Sequence, residues 1–319
     1  MANNKAVFII PHFGKFNNYF QLFLNSVENN PDYNWLIFTD DRENYDFPEN
    51  VEVHYMEFTE FKMRVQSKFD FKVSIEYPYR IADFKPAFGY IFSEYITNFK
   101  FWGYSDSDII VGQLSHFWND ETLDKIDKIG MLGHATLIRN EKRFREAFKE
   151  PINGIEVYKI VFSENKNHSF DEEFNSSINN IFLNKNYKVD FTECQANTYT
   201  KSSNLFLTFF NFETKRYNIK KEKNLFIYRD GKIINVQLGK GNEIIETEYL
   251  YIHFQSRKMK QRVNNYEYYK IIPNSFEDIQ NDLTTQKGLL HEKKKHVNLH
   301  YFKLRMSNLI KKIRTRVKI

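Results

Sequence analysis

The chain has one cysteine in 319 residues, Cys194, so it holds no intrachain disulfide. No stretch approaches the ~18 apolar residues that cross a bilayer. Val7 to Ile10 is too short for the apolar core of a signal peptide and runs straight into Pro11. Together with the single thiol, this fits a reducing compartment, and the expectation is a cytoplasmic protein. Internal repeats and long Gly/Ser linkers are also missing.

Aromatic residues are plentiful. Thirty-two Phe and 20 Tyr, in a chain 41% hydrophobic, can fill a sizeable core. The mean hydropathy of -0.61 and 27% charged residues point to a soluble protein. The net charge of +5 is unevenly spread. Residues 291–319 carry ten Lys/Arg against one acid, which leaves that tail at +9 and residues 1–290 at -4. In the tail Leu299, Phe302, Met306, Leu309, Ile310, Ile313 and Val317 recur at helical spacing between the basic residues. This pattern predicts a basic amphipathic helix on an anionic membrane surface, against the plainer reading of a packed terminal helix. Charge confined to the terminus of an acidic body argues against a nucleic-acid binder.

The most informative stretch is Phe101-Trp-Gly-Tyr-Ser-Asp-Ser-Asp-Ile-Ile-Val-Gly112. An apolar run climbs to Asp106 and Asp108, and another follows. Residues i and i+2 of an extended backbone point to one side, so both carboxylates can face one ligand. Acids beside a core strand cost desolvation unless something compensates them. A hard divalent cation that also holds phosphate oxygens is one such partner. A solvated turn after a strand is the structural alternative. A glycoside hydrolase is disfavoured, because the two acids are too close together for that chemistry.

Upstream, residues 5–10, 35–41 and 51–56 read as buried strands, with a helix over 17–29 between the first two. Nearly unbroken apolar strands alternating with helices predict an α/β fold with a mostly parallel sheet. Ligands of such sheets bind beyond the carboxyl ends of the strands, where Pro11, His12, Phe13, Thr39, Asp40 and Asp41 fall. Turn chemistry is the alternative for Asp40 and Asp41. A helix is predicted from Asp83 as N-cap, with Pro86 in its first turn; Arg80, Asp83 and Lys85 then cluster at an end that favours phosphate, or form a salt-bridged cap. Residues 113–129 and 139–148 read as helices and 129–138 as a strand interrupted by Gly130, Gly133 and His134. Asp171 and Glu172 open a predicted helix over 171–183, either as a candidate general base or as acids complementing the helix dipole. Phe226 to Val236 is a hairpin turning at Asp230-Gly231. A strand over 248–259 ends in His253, Arg257 and Lys258.

The blocks Asp-Phe-Lys-Pro-Ala-Phe-Gly (83–89), Phe-Trp-Gly-Tyr-Ser-Asp-Ser-Asp (101–108), Gly-His-Ala-Thr-Leu-Ile-Arg-Asn (133–140) and Tyr-Ile-His-Phe-Gln-Ser-Arg-Lys-Met (251–259) occur in this order. In this the chain resembles bacterial GT-A glycosyltransferases of capsular and surface polysaccharide synthesis. The resemblance implies an α/β/α sandwich around a mostly parallel sheet, spanning a catalytic domain over 1–262, then a connecting segment over 263–290 and the tail over 291–319. It implies a nucleotide-sugar donor, such as a UDP-sugar, a lipid-linked saccharide acceptor, and Mn²⁺ or Mg²⁺ on Asp106, Asp108 and His253. Donor contacts would come from Pro11, His12, Phe13, Thr39, Asp40, Arg80, Asp83, Lys85, Asp106, Arg257 and Lys258. Gly133 and His134 would border the acceptor, and Asp171 or Glu172 would be the base. The tail would dock the enzyme on the inner face of the cell membrane. A catalytically inactive nucleotide- or sugar-binding protein on the same scaffold is the competing expectation.

Overall fold

The computed structural model describes residues 5–172, 174–255, 257–297 and 299–317. The chain divides into two compact units. The first contains the chain up to Phe16, Phe23–Ser107 and Leu114–Glu193; the second contains Asn17–Leu22, Asp108–Gln113 and the chain from Cys194 on. One boundary falls inside the acidic motif, between Ser107 and Asp108.

The first unit is built on a seven-stranded sheet. Its order is Val51–Tyr55, Tyr33–Thr39, Ala6–His12, Phe101–Ser105, Ala135–Arg139, Lys128–Ile129, Val189–Asp190. The first four strands run parallel, Ala135–Arg139 is antiparallel to both neighbours, and the last two pair in parallel. Every residue of Phe101–Ser105 is buried, as are most of the strands beside it, because a parallel sheet is covered on both faces. This is the mostly parallel α/β sheet that the apolar strand pattern predicts. The pairings His12 with Thr39 and Ile9 with Tyr104 bring the carboxyl ends of three strands to one edge.

Several local elements depart from the sequence expectation. No helix is capped by Asp83: residues Pro78–Ala87 form a 3₁₀ helix, followed by a single α-turn, Phe88–Ile91. Pro86 has no N–H to give an α-helical ladder. Tertiary contacts then set the geometry, since Phe84, Phe88, Ile91 and Phe92 all enter one core with Trp102. Gly89 is needed there, because a Cβ would lie 2.3 Å from the Trp102 indole. The predicted helix over 113–129 is likewise broken. Extended Asn119 starts a short helix, Asp120–Asp124, by accepting from Thr122 N at 2.9 Å, and the chain re-enters the sheet at Lys128. Where one strand was predicted over 129–138, two antiparallel strands occur, because Gly130, at φ +91°, turns the chain out of the first. The helix predicted over 171–183 begins only at Ile178, which leaves Asp171 and Glu172 in the preceding loop.

In the second unit, six strands form a sheet in the order Ile244–Tyr249, Lys232–Leu238, Leu225–Arg229, Tyr268–Ile272, Ser275–Asp278, Lys260–Arg262. The hairpin at Asp230-Gly231 is present, with φ of 50° and 75° at its two corners. The strand predicted over 248–259 ends at His253, and Tyr251–His253 lies between Ile109–Val111 (antiparallel) and Ala196–Asn197 (parallel). His300–Val317 is an α-helix, and positions 318 and 319 of the predicted tail lie outside the described residues. Among the described residues, no helix is long and apolar enough to cross a membrane.

Candidate active site

The first unit brings together four residues singled out from distant sequence positions. The ammonium of Lys85, almost buried, donates to Asp106 Oδ1 at 2.7 Å and to the Gly133 carbonyl at 2.9 Å, and pairs with Asp171 Oδ2 at 3.2 Å. Burial disfavours the charge on Lys85, but Asp106 and Asp171 outweigh it and raise its pKa. One lysine shared by two acids does not satisfy both. Burial pushes the Asp171 carboxyl up to about 6, with Lys85 opposing the shift and Asp106 adding to it. The loop closes tightly here: a Cβ on Gly133 would lie 2.1 Å from Asp171 Oδ2.

The backbone N–H of Asp106 donates to the His134 carbonyl at 2.9 Å, and a carboxylate oxygen of Asp106 lies within 4.8 Å of a His134 ring nitrogen. His134 was read from the sequence only as an acceptor-side residue. Its metal-competent position arises from the pairing of Phe101–Ser105 with Ala135–Arg139, a register that the sequence does not announce.

Arg80 and Asp83 are fully buried and bonded to each other. Arg80 also donates to the carbonyls of Val161 and Glu164 at 2.8 and 2.9 Å, while Asp83 accepts from the backbone of His168 and Phe170 at 2.9 and 3.0 Å. Their bonding holds the 161–170 segment against the 3₁₀ helix. Asp40 accepts from Gly14 N at 2.7 Å and Asp41 from Phe16 N at 3.0 Å, which fastens the loop after the first strand. Thr39 is buried and accepts from Asp41 N at 3.1 Å. Pro11 and His12 end the first strand; His12 stacks on Phe16 at 4.1 Å, and Phe13 packs between Phe58 and Phe61. Glu172 is half-buried beside Asp171.

A residue that the sequence reading passed over also stands out in this unit. Lys128 is fully buried, and among the described residues no carboxylate pairs with it. Its ammonium lies over the Phe191 ring at 5.0 Å and donates to the Gly130 carbonyl. Burial draws its pKa down to about 7.

In the second unit, Asp108 and His253 face each other. Ile109 pairs with His253, and the Phe254 N–H donates to the Asp108 carbonyl at 3.1 Å, which extends the strand pairing to the acid. Asp108 Oδ1 lies 3.4 Å from His253 Nε2, and both side chains are buried. Thr198 Oγ1 holds the His253 carbonyl at 2.8 Å. A carboxylate and an imidazole so placed are a mixed oxygen and nitrogen donor set that fits Mn²⁺ better than Mg²⁺, which takes oxygen ligands. Each side of the Ser107–Asp108 bond thus has its own carboxylate–imidazole pair: Asp106 with His134, and Asp108 with His253. Lys258 is exposed, whereas Arg257 is buried and donates to the carbonyls of Ser202 and Tyr199 at 3.0 and 3.4 Å. Burial lowers its pKa to about 10.

The fold and its acid-bearing strand end define an α/β protein built on a mostly parallel sheet. The chain belongs to the family of unknown function DUF6625, whose model matches residues 8–280. No curated protein matches it. Among solved structures, it is similar to the galactosyltransferase LgtC in complex with donor and acceptor sugar analogs, at 13% identity and a TM-score of 0.33, over 60% of this chain and 75% of that one. A likeness that faint bears on neither activity nor ligand.

Proposed function

We propose that this protein is a metal-dependent glycosyltransferase that moves a sugar from a nucleotide-sugar donor to a saccharide acceptor carried on a lipid. The observation that carries this reading is the pair Asp108–His253, 3.4 Å apart at a strand end, two residues from an acid that Lys85 already holds. Asp108 and His253 would hold a divalent cation, Mn²⁺ or Mg²⁺. When bound, such an ion stabilises the negative charge of a departing diphosphate. Exposed Lys258, five residues after His253, would add a cation to the same phosphates. His12, with Pro11 and Phe13, and Thr39 with Asp40 at the neighbouring strand end would meet the nucleoside.

The acceptor side is assigned to Gly133, His134, Asp171 and Glu172. Asp171 is a positioning residue in this scheme: it is buried, and its carboxylate is engaged by Lys85, so it fixes the ammonium that orients Asp106. Glu172, more accessible in the same loop, is the group to take a proton from the acceptor hydroxyl. The amphipathic tail would bring the enzyme to acceptors on an anionic membrane. Phe302, Met306, Leu309 and Ile313 are all exposed, at 61, 61, 58 and 52%.

Calorimetry of UDP binding with and without Mn²⁺, repeated on Asp108→Asn, tests the reading. Metal-dependent binding that the variant loses supports it and opens a screen of UDP-sugars for transfer. If UDP, GDP and CDP all fail to bind in the presence of metal, the transferase reading is wrong. Binding without turnover on any sugar donor would favour an inactive nucleotide-binding protein.

A further inference from the structure

The second unit contains a cavity of about 230 Å³ at the root of the C-terminal helix. Arg257 and Lys295 line it with Ser203, and Phe254, Val297 and Phe302 form an apolar part of the wall. Arg257 is only 5% exposed, yet among the described residues no carboxylate pairs with it; its recorded partners are two carbonyl oxygens. Lys295 likewise has no acid partner among the described residues, and its ammonium donates to Ser203 Oγ at 3.2 Å. A guanidinium withdrawn from water without an opposing anion is costly, and two cations on one cavity wall repel. An anion between them relieves both costs, and a phosphate matches the fork of an arginine beside a hydroxyl.

The apolar wall narrows the choice of anion. Val297 is 79% exposed and Phe302 61%, and Phe302 begins the stripe that continues through Met306, Leu309, Ile310 and Ile313. A free phosphate has no use for this surface, whereas a phosphate attached to hydrocarbon does, and the exposed stripe that leads away from the cavity suits a long apolar chain. We propose that the cavity binds the terminal phosphate of a membrane lipid, with Arg257 and Lys295 on the phosphate and Phe302 beside the start of its apolar chain. The inference rests on the membrane-docking part of the proposed function. It adds to general attraction by the tail a built site that reads a phosphomonoester.

The test is binding of the full chain, in chelator and without donor, to phosphatidylcholine vesicles containing either phosphatidic acid or phosphatidylglycerol at matched surface charge. The expected result is a preference for phosphatidic acid of roughly tenfold or more, as charge-assisted bonds give. Arg257→Gln and Lys295→Gln should erase the preference, while Lys294→Gln, which removes the same charge outside the cavity wall, should keep it. Lys295 is exposed, so its variant keeps the test valid even if Arg257→Gln does not fold. Equal binding to the two lipids, or a preference that survives Lys295→Gln, overturns the proposal and leaves only the tail's general attraction. Inorganic phosphate bound by the protein with no preference among vesicles would assign the cavity to free phosphate and overturn the lipid source. No binding to either vesicle would remove the membrane reading along with this one, and would leave the metal-dependent nucleotide test untouched.

Discussion

The two units treat buried charge in opposite ways. In the first, one lysine serves two carboxylates: Lys85 holds Asp106 at 2.7 Å and Asp171 at 3.2 Å. In the second, a buried arginine, Arg257, pairs with no acid among the described residues, and a buried acid, Asp108, has a histidine across from it. In the first arrangement the ammonium is fully engaged by acids of the fold itself, and it therefore positions groups. The second is incomplete in charge, and the ligands proposed for it would complete it: a cation at Asp108 and His253, an anion at Arg257. The acidic motif is where these regimes join along the chain, since Asp106 belongs to one unit and Asp108 to the other.

Removing the shared lysine should break the comparison most sharply. Lys85→Met leaves buried Asp171 and half-buried Asp106 without a counter-charge and should cost about 3–5 kcal/mol of stability, the usual penalty for stripping one partner from a buried pair. Urea denaturation measures it. Adding Asp171→Asn should recover part of the loss, and the double-mutant cycle gives the coupling. If Lys85→Met costs no more than a surface substitution, the first unit is not organised around that ammonium. A smaller effect is expected at Gly133. Its replacement by Ala puts a methyl group 2.1 Å from Asp171 Oδ2, so the loop must shift. A loss of about 1–3 kcal/mol is expected from overpacking. The same change in Asp171→Gly, where the obstructing carboxylate is gone, should be nearly silent.

Much of this arrangement was legible in the sequence, for physical reasons that differ by residue. Unbroken apolar runs ending in Pro11, Thr39 and Ser105, too short for helices and closed by turn residues, read as strands covered on both faces, and the mostly parallel sheet followed. Asp230-Gly231 between two alternating segments marked its hairpin, because the pair accepts positive φ. Lys85, Asp106, Gly133 and Asp171 each drew notice singly, but their convergence on one ammonium depends on contacts separated by up to 86 positions in the chain, between 85 and 171. Local pattern failed where tertiary packing decided. Asp83 had the look of a helix cap, yet it is bonded to Arg80 and to the backbone of His168 and Phe170. The pocket at Arg257 was invisible because Lys295 reaches it from the tail, 38 positions away. Lys128 carried no signal at all: a lysine at the start of a short strand ordinarily reads as a solvated residue.

Lys128 provides the finest contrast, since it lies in the same unit as Lys85 and differs in its company. Lys85 has two acids in contact and its pKa is raised; Lys128 touches a ring and a carbonyl, and burial, opposed only by the more distant charge of Asp171, lowers its pKa to about 7 from 10.5. Between those two values the folded chain holds this lysine neutral while the unfolded chain binds a proton. Stability therefore rises with pH across that window, by at most about 1.4 kcal/mol per pH unit from this one group, and the contribution is lost as pH falls through about 7. Lys128→Met removes the titration. Urea midpoints of the wild type should climb from pH 7 to 9 relative to those of Lys128→Met, and the two curves should converge toward the alkaline end. Lys85→Met should not reproduce this slope, because Lys85 stays charged across the window in both folded and unfolded chains. Parallel curves for wild type and Lys128→Met would mean that Lys128 keeps its proton in the fold, and that an unpaired cation is tolerated in the first unit as Arg257 is in the second.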